Sequence, residues 1–108
     1  FPCLPLTERP KVDQIHIFTN EVKQLRERGI KVILLPPSYA LTSFNMSKSY
    51  IDEIASTLEI DSVPFVVSPA RYALNDTLFW NTAYHLSAEG RRLRTDLVIA
   101  DLDSIGIN

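Results

Sequence analysis

The first periodic stretch of the chain predicts an amphipathic helix. Apolar residues recur at spacings of three and four from Val12 to Leu25, with charged and polar residues between them. This spacing places the apolar side chains along one face of a helix of about four to five turns. Gly29 follows, and glycine readily adopts the left-handed conformation that commonly ends a helix. We therefore expect the first helix to end near Gly29.

Two short apolar runs predict buried strands. Residues 30–35 stand before two consecutive prolines, and residues 62–67 stand before Ser68 and Pro69. Runs rich in β-branched residues are typical of strands covered on both faces, as in a parallel sheet, and proline ends the ladder because it has no N–H to donate. Between the runs, apolar residues from 51 to 58 have helical spacing, and Ser49 and Asp52 are placed as a capping box for a second helix.

The remaining part of the chain predicts a long loop and a final helix. Residues 70–86 have no clear period, and loops of this length in compact domains are usually functional or disordered. The aromatic residues of this segment favour order: Tyr72, Phe79, Trp80 and Tyr84. Ser87 is a suitable N-cap for a last helix that fades near Gly106.

The order helix, strand, helix, strand, loop, helix indicates an α/β fold with a parallel sheet, because crossover connections are right-handed. Residues 1–10 include three prolines and predict an extended lead-in to one α/β domain over residues 11–108. Ligands bind at the carboxyl edge of such sheets, where residues 36–44, 68–75 and the loop before the last helix meet. Two strands make a thin sheet, so we expect the remainder of the same polypeptide or a partner chain to complete it.

Composition excludes several function classes. The formal net charge of −2 over 108 residues provides no basic surface for nucleic acid, and no run approaches the length of a membrane span. Cys3 is the only cysteine and there are two histidines, so we expect neither a metal site nor a cofactor. The cellular compartment stays undetermined.

His85 is the first candidate for chemistry. A histidine in a long loop before a helix, at the ligand-binding edge of the sheet, is suited to act as a general base. Asn81 and Thr82 lie four and three residues upstream, and either is close enough in sequence to hydrogen-bond the imidazole and hold its tautomer. Asp76 is the nearest upstream acid, for which helix capping or solvation is the competing role. A histidine that only pins the loop is the alternative for His85 itself.

Residues 81–91, followed by Arg94 and Thr95, resemble the last conserved block of SGNH/GDSL-type hydrolases. The matching residues read Asn-Thr-Ala-Tyr-His-Leu-Ser-Ala-Glu-Gly-Arg. The resemblance implies a partial flavodoxin-like three-layer α/β/α sandwich, with His85 as the histidine of a catalytic triad. It further implies that the full-length protein is a serine esterase or acyltransferase acting on a small-molecule or carbohydrate acyl ester.

The chain departs from that family at two places. The triad aspartate is expected three or four residues before the histidine, where this chain has Thr82 and Asn81. The Gly-Asp-Ser block with the nucleophile, and the Gly and Asn of the oxyanion hole, are not in the chain. We therefore expect a C-terminal portion of an SGNH domain that is inactive alone. The alternative is a non-catalytic interaction or carbohydrate-binding domain with a degenerate site, whose stacking surfaces are Tyr72, Trp80 and Tyr84.

Overall fold

The computed structural model describes residues 4–107, and it has the mixed α/β character that the sequence predicts. The regular elements of the described residues are α1 (Val12–Glu27), β1 (Tyr39–Ala40), α2 (Leu41–Met46), α3 (Lys48–Ile60), β2 (Ala73–Leu74) and α4 (Ala88–Ser104), with 3₁₀ turns at Pro69–Tyr72 and Asp76–Leu78. Cys3 and the start of the predicted lead-in lie outside the described residues. Residues 4–107 show neither a three-layer sandwich nor a flavodoxin-like fold.

The sheet is smaller than predicted and lies elsewhere. β1 and β2 pair in parallel, with Tyr39 opposite Ala73. The runs at 30–35 and 62–67 are also parallel but share only one isolated bridge, between Leu34 and Phe65. The parallel direction was predicted correctly, whereas two full strands over these runs are wrong. Prolines directly after the first run, and Pro64 within the second, remove N–H donors that a continuous ladder needs.

The helices α1, α3 and α4 follow the predicted pattern apart from one cap, whereas α2 was not predicted. α1 ends before Gly29, which has a φ of +82°, as predicted. The capping box at Ser49 is wrong, because Ser49 lies inside α3 and Ser47 occupies the N-cap without a capping side-chain bond. The predicted box is displaced because α2 runs almost directly into α3, and the Ser47 N–H donates to the Ser43 carbonyl at 3.1 Å.

The described part of the lead-in contains neither helix nor strand, yet it packs against α2. The Leu4 N–H donates to Ser43 Oγ at 3.0 Å, and the Leu6 N–H donates to Ser47 Oγ at 2.8 Å. The hydroxyl of Tyr39 donates to the Leu4 carbonyl. Two buried serines and a tyrosine therefore hold the described part of the lead-in against the rest of the domain.

The main buried cluster lies directly beneath the loop that precedes α4. It consists of Ala40 on β1, Leu74 on β2, and Phe79 and Ala83 from the loop. Leu97 of α4 packs against this cluster. The loop around His85 thus rests on a buried apolar cluster, which restricts its movement.

Candidate functional site

The site loop comprises residues 80–85 and is closed at its base. Phe79 and Leu86 form an antiparallel bridge, and within it the Trp80 N–H donates to the His85 carbonyl at 2.7 Å. The Ala83 carbonyl accepts from the Ala40 N–H at 2.8 Å, which ties the loop to β1. The loop is therefore fixed at its base and at its middle.

The His85 ring is oriented by Asn81. Its Nδ1 lies 3.3 Å from Asn81 Oδ1, and because an amide oxygen only accepts, this contact places the proton of the neutral ring on Nδ1. Nε2 then carries the free lone pair, and it has no hydrogen-bond partner among the described residues. Asn81 has a φ of +51°, in the left-handed region that asparagine tolerates better than most residues.

Thr82 positions the backbone of His85 rather than its ring. Thr82 Oγ1 accepts from the His85 N–H at 3.1 Å, while the His85 carbonyl is held by Trp80. Of the two candidate orienting residues, Asn81 therefore reaches the imidazole and Thr82 does not. Together they fix both the ring and the main chain of His85.

Two of the three predicted stacking residues are exposed beside His85. Trp80 is 67% exposed and Tyr84 is 58% exposed. The Tyr84 ring meets the His85 ring edge to face, with centroids 5.1 Å apart. Tyr72, in contrast, is fully buried, and the Arg94 guanidinium lies 4.5 Å from the centre of its ring. Tyr72 thus offers no free stacking face in this structure.

Tyr72 belongs to a buried polar cluster that anchors α4. Its hydroxyl donates to Asp101 Oδ2 at 2.6 Å, and Arg71 Nε lies 2.7 Å from Asp101 Oδ1. The bonds from Arg71 and then Tyr72 hold the pKa of Asp101 below its usual value. Burial, followed by the hydrogen bond to Asp101, raises the pKa of Tyr72. Sequence analysis missed this cluster, because Asp101 lies 30 residues from its arginine partner.

Arg94 connects α4 to the end of the first apolar run. Its Nη1 donates to the Pro36 carbonyl at 3.1 Å and to Ser38 Oγ at 2.8 Å. This contact gives Ser38 a structural partner and ties α4 to the segment after the first apolar run. Ser68, the other serine after an apolar run, accepts from the Ala70 N–H and caps a 3₁₀ turn.

Asp76 is not the acid partner of His85. Its Oδ1 accepts from the Thr42 N–H at 3.1 Å, at the start of α2. The hydrogen bonds from the side chain and then the backbone of Thr42 lower the pKa of Asp76. The geometry therefore supports the alternative role of Asp76, which is to cap a helix. The nearest side-chain partner of the imidazole is the neutral amide of Asn81.

His16 forms a separate pair on α1. Its Nδ1 lies 2.6 Å from Asp61 Oδ2, which also accepts from Thr19 Oγ1 at 2.6 Å. The hydrogen bonds from Thr19 and then His16 lower the pKa of Asp61. Within residues 4–107, no group of three or more His, Cys, Asp and Glu side chains is arranged to hold a metal ion.

An apolar cavity opens next to the site loop. Its volume is about 310 Å³, and it is lined by residues from the lead-in, the segment after the first apolar run, α2, α3, the second apolar run, the following 3₁₀ turn and the site loop. Tyr84 forms the wall nearest His85. Most of its lining residues belong to the segments 36–44 and 68–75 and to the loop before α4, where sequence analysis places the ligand-binding edge, whereas the contributions of Leu6 and Phe65 were not predicted.

Comparisons of the chain with models of known protein families, with curated proteins and with solved structures find no significant match. No helix among residues 4–107 combines the length and apolar character needed to cross a membrane. The functional interpretation therefore depends on the geometry around His85 and on the sequence resemblance of residues 81–91.

Proposed function

We propose that this chain contributes the general-base histidine to an ester hydrolase or acyl transferase of the SGNH type. The observation that carries the proposal is the contact between His85 Nδ1 and Asn81 Oδ1 at 3.3 Å. A general base needs one ring nitrogen held as a donor so that the other is free to accept a proton. The Asn81 contact provides this arrangement.

In the proposed reaction, a serine hydroxyl from outside this chain attacks the acyl carbon. His85 Nε2 takes the hydroxyl proton as the new carbon–oxygen bond forms, and then delivers it to the leaving oxygen. Asn81 holds the ring but brings no negative charge to stabilise the imidazolium. The substrate is an acyl ester of a small molecule or a carbohydrate, and the chain alone is inactive because it contributes only the base.

The shape of the molecule supports the proposal that it is one portion of a larger three-layer sandwich. Its principal extents are 42, 34 and 17 Å, and packed layers lie roughly 10 Å apart. A thickness of 17 Å therefore fits two layers better than three. The Cα radius of gyration is 14.8 Å, above the roughly 13 Å of a closed domain of about 100 residues. Further strands, from the same polypeptide or a partner, then cover the exposed apolar residues.

The test measures ester hydrolysis by the natural polypeptide that carries this chain, with p-nitrophenyl acetate as substrate. We expect His85→Ala to lower kcat by about 10²- to 10⁴-fold, the usual contribution of a general base. His16→Ala is the matched control, since it removes the other histidine, and it should leave kcat unchanged. Equal turnover by wild type and His85→Ala would show that His85 is not the base.

Asn81 gives a second and sharper test. Asn81→Asp replaces the amide by a carboxylate of the same shape and introduces a negative charge beside Nδ1. Because an Asp-to-Asn change lowers kcat about 10⁴-fold in a serine protease, we expect the reverse change to raise kcat at least tenfold. Asn81→Gly keeps the left-handed backbone accessible but removes the orienting oxygen, so it should lower kcat.

The exposure of Trp80 and Tyr84 favours a second candidate function, carbohydrate binding without turnover. Exposed aromatic rings beside a polar site are suited to bind the apolar faces of sugar rings. Titration with cello- and chito-oligosaccharides, followed by calorimetry, tests this function directly, because the readout does not depend on Trp80. Saturable binding that Trp80→Ala abolishes, in a polypeptide without esterase activity, would favour the second candidate over the first.

A further inference from the structure

The cavity beside Tyr84 has walls that offer almost no hydrogen-bond donors. Three of its lining residues are prolines, which have no N–H: Pro36, Pro37 and Pro69. The remaining wall is formed mainly by apolar side chains from α2, α3 and the second apolar run, namely Phe44, Ile51, Ile54 and Phe65. A ligand in this cavity therefore gains little from polar groups of its own.

The polar side chains at the wall already have partners. Ser38 Oγ accepts from Arg94 Nη1 at 2.8 Å. The hydroxyl of Tyr39 donates to the Leu4 carbonyl. Tyr84 remains: it is 58% exposed, and its ring contacts the His85 ring. The cavity is thus lined mainly by apolar groups, and Tyr84 lies between it and the imidazole.

We propose that this cavity binds the hydrocarbon part of a medium-length acyl chain, with the acyl carbon towards His85. This inference rests on the proposed function and adds the class of acyl group. A methylene group occupies roughly the same volume as a water molecule, about 30 Å³. The cavity volume of about 310 Å³ therefore accommodates about ten carbons at most.

Tyr84 connects the cavity to the candidate base. Its ring lines the cavity and also meets the His85 ring at a centroid distance of 5.1 Å. An acyl chain bound with its polar end at Tyr84 would therefore have its acyl carbon near the imidazole. The dense core beneath Ala83 keeps this relation fixed, because the Ala83 carbonyl is bonded to β1.

The experiment measures binding of butanoate, hexanoate, octanoate and decanoate to the 108-residue chain. Binding is followed through the methyl NMR signals of Ile51 and Ile54, so it requires no turnover. Burying one methylene contributes about 0.8 kcal/mol, which corresponds to a roughly fourfold tighter Kd per added carbon. We expect this progression up to about ten carbons, and a plateau for dodecanoate.

Three variants identify the cavity as the binding site. Ile51→Phe fills the space and should weaken octanoate binding at least tenfold. Ile54→Ala enlarges it and should move the plateau to longer chains, which keeps the test informative if Ile51→Phe is unstable. Ile60→Phe is the matched control on the same helix, since Ile60 is 79% exposed and does not line the cavity, and it should bind as wild type does.

Three results overturn the acyl-chain proposal. The first is equal affinity of the chain for butanoate and octanoate. The second is equal affinity of wild type and Ile51→Phe for octanoate. The third is self-association in ultracentrifugation that Ile51→Phe abolishes, since a second copy would then occupy the cavity. None of them affects the role of His85, which the kcat of His85→Ala decides. Conversely, octanoate binding that persists in His85→Ala leaves the cavity proposal intact even if His85 is not the base.

Discussion

The substitution Gly90→Ala should destabilise the protein, although a glycine-to-alanine change inside a helix normally stabilises it. Gly90 lies in the first turn of α4, where alanine at a compatible position gains about 0.4–1 kcal/mol. Here a Cβ at residue 90 would lie 2.3 Å from the Leu78 carbonyl oxygen and 2.9 Å from Leu86 Cδ2. The first contact is with backbone, so a side-chain rotation cannot relieve it.

The magnitude follows from what must move. The Leu78 carbonyl accepts from the Ser87 N–H at 2.9 Å and from Ser87 Oγ at 3.0 Å, so displacing it disturbs the cap of α4. Overpacking of this kind typically costs about 1–3 kcal/mol, which exceeds the gain in helix propensity. We expect a net loss of about 1–2 kcal/mol, or a decrease in Tm of roughly 4–8 °C for each kcal/mol.

Urea unfolding followed by circular dichroism measures the effect of Gly90→Ala. With a slope of about 2 kcal/mol/M, the middle of the usual range for urea, the midpoint should fall by roughly 0.5–1 M. Arg92→Ala is the control, because Arg92 is exposed on the same helix and its loss should change stability by less than about 0.5 kcal/mol. A Gly90→Ala midpoint at or above that of wild type would refute the reasoning from the backbone contact.

Three further substitutions test the anchoring of α4. Ser87→Ala removes the side chain that caps the Gly90 N–H and should lower stability by about 1 kcal/mol in urea unfolding; an unchanged midpoint would count against the cap. Tyr72→Phe removes a buried hydroxyl bonded to a carboxylate and should cost about 1–3 kcal/mol, with Tyr39→Phe as a less buried comparison. Asp101→Asn should make the free energy of unfolding depend less on pH in the acid range. The pKa of Asp101 is lower in the folded state than in the unfolded state. Its contribution to stability is therefore present above the unfolded pKa and is lost as pH falls through the folded pKa. An acid unfolding profile identical to wild type would contradict that role.

The sequence predicts the elements whose signals are local. The spacing from Val12 to Leu25 yields α1, Gly29 adopts the positive φ of a helix end, and Ser87 caps α4. Each of these depends on residues within one or two turns of one another. The same holds for the contact between Asn81 and His85, which are four residues apart within one closed loop.

Features that depend on distant partners were not predictable from local patterns. The two apolar runs have the composition of strands. A strand also needs a neighbour that offers free N–H groups, and Pro64 removes one of these groups from the second run. α2 contains six residues, too few for a helical period to be recognised. Asp101 stands between Ala100 and Leu102 on α4, and the partners that allow its burial are apparent only when Arg71 and Tyr72 are placed beside it.

The geometry of the site loop bears on the meaning of Asn81. Asn81 has a left-handed backbone, and its Oδ1 lies 3.3 Å from His85 Nδ1. In an aspartate at this position the amide nitrogen becomes an oxygen and the side chain gains a negative charge. Under the proposed function, Asn81→Asp therefore keeps the orienting contact and adds the charge, so it separates these two contributions. A gain in kcat assigns the deficit to the absent charge, whereas an unchanged kcat shows that a charge at this position does not limit proton transfer.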